Sequence, residues 1–149
     1  MDFFNFVTER LAIGARPRTP ADIDKLVAAG ITSIISVTDE GDDSTVAYNK
    51  AVDLLYNPAA DDGSSKPDSW FHATLDYALP RLSQPHYKIF VHCSAGVNRG
   101  PSSGFAILRA LGLSHRVALG LINFARPITV AGVRYRHDAD RAVHALGYV

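Results

Sequence analysis

Residues 89–112 read IFVHCSAGVNRGPSSGFAILRALG, and the fold turns on them. The apolar run Ile89-Phe90-Val91 predicts a strand. It delivers the only cysteine, Cys93, into a short loop containing Ala95 and Gly96, which Arg99 closes six positions later. Pro101 and Ser102 suit the first turn of a helix. Phe105, Ala106, Ile107, Leu108 and Leu111 give the apolar recurrence of a buried one that stops at Gly112. Successive backbone N–H groups in a tight loop, with the free N–H groups of a helix start, form a concave cage for an oxyanion. Arg99 adds a planar fork able to hold two oxygens of one phosphate. The same positive surroundings favour the ionised form of Cys93, in which the sulfur is a nucleophile. A thiolate beneath a phosphate cage implies phosphoryl transfer to sulfur.

The 149 residues carry fifteen Lys and Arg against fifteen Asp and Glu. Length and composition fit a single α/β domain over residues 1–149. The charge balance provides no global field toward nucleic acid or an anionic membrane, so anion recognition has to be local. One cysteine excludes a disulfide framework and a multi-cysteine metal site, and fits a reducing compartment. His72, His86, His92, His115, His137 and His144 lack the paired spacing of a zinc site, so neither metal nor cofactor is expected. The start MDFFNFVTER lacks the pattern of a signal peptide and no apolar run approaches a membrane span; a cytoplasmic location is expected.

Working outward from the loop, residues 5–14 hold short apolar segments suited to one or two edge strands. Thr19 with Pro20 and Asp22 reads as a capped helix start, Ile23, Leu26 and Val27 as its buried face, and Gly30 as its stop. Residues 31–37, ITSIISV, predict a central strand. Residues 46–51 suggest a short helix and 52–56 a further strand. Asp68 reads as the cap of a helix bearing Trp70, Phe71, Leu75, Tyr77, Ala78 and Leu82, which Pro80 ends or kinks; Trp70 and Phe71 suit the core. Ser114 caps another helix, and a last one spans about residues 133–146. Helices alternating with strands predict a mostly parallel sheet of about four to five strands flanked by helices.

The run His92-Cys93-Ser94-Ala95-Gly96-Val97-Asn98-Arg99 resembles the HCxxGxxR loop of the cysteine-dependent protein tyrosine phosphatases, in their compact dual-specificity branch. The helix and strand before the acidic stretch resemble the opening of that branch. The resemblance implies a metal-independent phosphatase in which Cys93 attacks phosphorus. Arg99 and the amides of Ser94, Ala95, Gly96, Val97 and Asn98 hold the equatorial oxygens, and His92 supports the loop from behind. Phosphate, sulfate or vanadate is the expected loop ligand.

Expulsion of an alkoxide or phenoxide needs a general acid. The loop 57–67, NPAADDGSSKP, supplies Asp61 and Asp62, 32 and 31 residues before Cys93. Family spacing favours Asp61, and an aspartate just ahead of a glycine-and-proline loop favours Asp62; the balance falls on Asp62. The same carboxylate, once ionised, activates the water that hydrolyses the cysteinyl-phosphate. Two features depart from the family. Gly100 stands where many members carry a hydroxyl residue that eases thiolate departure, and Val130 and Val133 stand near a usual asparagine and phenylalanine.

A shallow pocket is expected to accept phosphotyrosine and phosphoserine or phosphothreonine proteins, or small phosphomonoesters. Lys66, Arg16, Arg18, Arg134 and Arg136 are candidates for a basic rim. The alternatives are an inactive phosphate-binding module, a phosphoinositide or phosphoglucan phosphatase, and sulfur-transfer or arsenate-reducing chemistry.

Overall fold

The computed structural model describes residues 2–130 and 132–148. Five strands, β1 (Phe4–Thr8), β2 (Leu11–Gly14), β3 (Ser33–Ser36), β4 (Asp53–Tyr56) and β5 (Ile89–His92), form one sheet in the order β1-β2-β5-β3-β4. Only the β1–β2 hairpin is antiparallel; β5 lies in the middle, parallel to β2 and β3. The helices are α1 (Pro20–Ala28), α2 (Asp68–Leu82), α3 (Arg99–Ala110), α4 (His115–Ala125) and α5 (Val133–Ala145).

Strand periodicity decides which helix packs where. Ala12, Ile34 and Phe90 point to one face and meet Ile23 and Leu26 of α1. Their neighbours Leu11, Ile13, Ile35, Ile89 and Val91 point to the other and join Phe71 and Leu75 of α2, Phe105 and Leu108 of α3, Ile122 of α4 and Val143 of α5. The sheet is thus covered on both faces, as a parallel sheet requires. Trp70 and Phe71 belong to this core.

Several ends follow the sequence. Thr19 and Asp22 form a full capping box on α1, and Ser114 accepts from Val117 N on α4. Gly112, at φ +100°, turns the chain just beyond α3.

Others differ. The residue ahead of α2 is Pro67, which makes no side-chain cap; Asp68 is the first helical residue and pairs with Arg141 instead. Pro80 does not end α2, which runs on to Leu82; it sits inside the last turn, where it lacks the N–H that would bond the carbonyl of Asp76. The stretch 46–51 makes turns rather than a helix, because Asn49 adopts φ +58°.

Candidate active site

β5 ends at His92 in the centre of the sheet, and the chain leaves its C-terminal edge into the loop 93–98 before α3 begins at Arg99. Five successive carbonyls of this loop are bonded away from it. Ser94 O accepts from Arg16 N at 3.0 Å and Val97 O from Val130 N at 2.6 Å. Ala95 O and Gly96 O accept from the Arg126 guanidinium at 3.1 and 3.0 Å. Asn98 O accepts from the Ser102 hydroxyl at 2.7 Å. In a trans peptide the N–H points opposite the C=O, so the amides of residues 95–99 are turned to the inner side. The loop is thereby shaped as a cage able to take an oxyanion, and Cys93, at its start, is 3 % exposed.

Arg126 was not marked by the sequence, apart from standing in the family-like segment ARPITV. Its guanidinium also donates to Asn5 Oδ1 and to the carbonyl of Asp2, fastening the loop to the start of the chain. Burial pushes Arg126 down from the usual arginine range, and the nearby Cys93 charge acts in the opposite sense.

The Arg99 side chain is buried. One terminal nitrogen donates to Asp39 Oδ1 at 2.9 Å and to Ala59 O at 2.8 Å; the other lies 3.8 Å from Glu40. Among the described residues its buried Nε has no hydrogen-bond partner. Glu40 is held below the usual carboxylate range by the Ser94 and Thr38 hydroxyls, with Arg99 and Arg16 adding to the effect.

His92 is fully buried, with Nδ1 3.0 Å from Cys93 O and Nε2 2.5 Å from the carboxylate of Asp43, itself only 2 % exposed. The ring is thus held at both nitrogens, between the carbonyl of Cys93 and the carboxylate of Asp43. Sequence reasoning missed Asp43; one aspartate in an acidic tract carries no spacing signal.

The two candidate acids diverge. Asp61 faces the cage, its Oδ1 3.2 Å from Asn98 Nδ2, while Asn98 Oδ1 accepts from Gly132 N. Asp62 faces its own turn. It accepts from the Ser64 hydroxyl and amide and from Lys66 Nζ, and these hold its carboxyl far below the usual range. Of the proposed basic rim, Lys66 is buried and committed to this loop, and Arg16 lies 3.9 Å from Glu40. Arg136 leans on His115, whereas Arg18 and Arg134 are exposed.

The model of the Swiss Army Knife protein DSP-PTPase phosphatase domain, PTP-SAK, matches residues 1–144. The chain belongs to this family. It is a cysteine-based phosphatase of the dual-specificity type. No curated protein matches the chain in sequence. Its fold is similar to that of PTPMT1, solved in complex with PI(5)P, with TM-score 0.85 and 17 % identity over 97 % of both chains. Human DUSP28 gives TM-score 0.81 and 21 % identity over 98 % of this chain and 96 % of its own. Tk-PTP in its active form gives 0.79 and 20 % over 95 % and 97 %. Among the described residues, no helix is long and apolar enough to cross a membrane.

Proposed function

We propose that this phosphatase hydrolyses phosphate monoesters of protein side chains, with Cys93 as nucleophile, Arg99 and the loop amides as oxyanion holders, and Asp61 as general acid. The observation that carries this reading is the inward turn of the amides of residues 95–99 over Cys93, beside a buried Arg99 Nε with a donor to spare. In the first step the sulfur–phosphorus bond forms as the phosphorus–oxygen bond breaks, and the Asp61 proton passes to the leaving oxygen. In the second, ionised Asp61 takes a proton from water as its oxygen attacks phosphorus, releasing phosphate and the Cys93 thiolate.

Asp61 is preferred to Asp62, against the balance drawn from sequence. Asp62 is turned onto Ser64 and Lys66, which hold it in its ionised form, whereas Asp61 stands against Asn98 of the loop. The exposed carboxylates of Asp39 and Glu40, which lie against Arg99, favour a singly phosphorylated side chain over a polyanionic head group or phosphoglucan.

The test is hydrolysis of para-nitrophenyl phosphate and a phosphotyrosine peptide across pH 4–9, approximately, with chelator present. Cys93→Ser abolishes turnover and retains vanadate binding. Asp61→Asn lowers peptide turnover about a hundredfold or more and removes the basic limb, while Asp62→Asn retains it. Full activity in Cys93→Ser would refute the nucleophile, and loss of the limb in Asp62→Asn alone would reverse the acid assignment. Vanadate binding without turnover by the parent chain would leave a phosphate-binding module.

A further inference from the structure

The loop that carries Asp61 is fastened to one face of α5. Asp138, 4 % exposed, accepts the Ser65 hydroxyl at 2.9 Å on one carboxylate oxygen and the Lys66 N–H at 2.8 Å on the other. Arg141, three residues on, donates to Asp138 at 2.7 Å, to the Lys66 carbonyl at 2.8 Å and to Asp68 at 2.9 Å. Tyr135, three residues back, is buried, and its hydroxyl accepts the Gly63 N–H at 3.1 Å. Lys66 Nζ, 5.3 Å from the centre of that ring, reaches back to Ala60 O at 2.7 Å. Residues three apart share a helix face, so Tyr135, Asp138 and Arg141 act as one clamp. The clamp takes the loop backbone at Gly63 and Lys66, and Lys66 closes the loop on itself one residue before Asp61.

A buried carboxylate is costly to desolvate, and an apolar side chain would fill the same space on α5 without that cost. What the carboxylate supplies is direction, because two oxygens fixed on Ser65 and Lys66 set where the loop runs. We propose that Asp138 is a positioning residue for the general acid. Acting through Ser65 and Lys66, it holds the loop so that the Asp61 carboxyl stands at the mouth of the cage, and proton donation to the leaving oxygen depends on it. This inference rests on the assignment of Asp61 made above.

Leaving-group dependence tests it, since donation matters little for para-nitrophenolate and much for a poor leaving group. Asp138→Asn keeps the size of the side chain but sets an amide N–H against one of the donors the carboxylate now receives. The expected result is a kcat for phenyl phosphate lower by about tenfold or more, with para-nitrophenyl phosphate reduced less than about threefold and vanadate inhibition unchanged. Ser65→Ala and Tyr135→Phe, each removing one contact, should shift the same ratio by less, and they carry the test if Asp138→Asn does not fold. Equal losses on both substrates, or vanadate binding weakened in step, would overturn the proposal and leave Asp138 a structural residue. If Asp61→Asn discriminates between the substrates and the clamp variants do not, the clamp alone fails. If Asp61→Asn does not discriminate, the acid assignment fails and the clamp's role falls with it.

Discussion

At Gly96 the backbone turns at φ +71°, and a Cβ there would stand 2.4 Å from the carbonyl carbon of Gly14. Both facts require glycine, the first by conformation and the second by close approach. Gly96→Ala should therefore destabilise the chain by about 1–3 kcal/mol from the strained backbone alone. Denaturant midpoints and vanadate binding should fall together; a variant as stable as its parent would mean that β2 yields to the loop. Asp43 is a different case. Its carboxylate fixes the His92 ring against the Cys93 carbonyl. Asp43→Asn should weaken vanadate binding and lower turnover together, and a variant that binds and turns over as its parent does would reduce the pair to packing. The motif made Cys93, Arg99 and His92 legible because their chemistry depends on spacing. Asp43 was not, because its role depends on a contact across 49 residues.

Among the elements, those with a two-fold or helical apolar period were readable from the chain. β3 and β5 alternate between two cores, as Ile34 against Ile35 and Phe90 against Val91 show. Where local chemistry competes with period, the reading failed. Asp68 looks like a cap, but it turns to Arg141, 73 residues away, a partner no local pattern announces. In the connection between α4 and α5 the sequence did not mark Arg126, although with Val130 it buttresses the loop 93–98. Arg126 donates to four oxygens on two separate segments, a reach that one ammonium lacks. Arg126→Lys should lose about 2–4 kcal/mol of stability, since hydrogen bonds from a charged group each contribute about 1.5–3 kcal/mol. Thermal unfolding and vanadate affinity would measure it. A cage that binds vanadate as before would show the loop holding its shape without this support.

For the whole molecule, zero net charge conceals a division. Between Asp76 and Asp138 the chain contains neither aspartate nor glutamate, while Arg99, Arg109, Arg126, Arg134 and Arg136 lie within that stretch. Folding brings this stretch onto acids outside it, as in Arg99 with Asp39, His92 with Asp43 and Arg109 with Asp140. Composition gave the balance but not these pairings, which exist only after the sheet has ordered its strands. They imply a stability that depends on ionised carboxylates. Asp138 shows the sign: burial pushes its carboxyl up, but the Lys66 amide, Arg141 and the Ser65 hydroxyl together hold it below the ordinary value of 3.8. A carboxyl depressed in the folded chain stabilises it above the unfolded pKa, and that contribution disappears as pH falls through the folded value. Asp62, depressed more strongly by Ser64 and Lys66, acts in the same sense. Thermal midpoints should thus stay level from neutral pH to about 5 and decline below about 4. Asp138→Asn should lower the level region and flatten part of the decline, because Asn has no proton to gain. If the variant's acid limb instead runs parallel to that of its parent, other carboxylates carry the acid response and Asp138 contributes none of it.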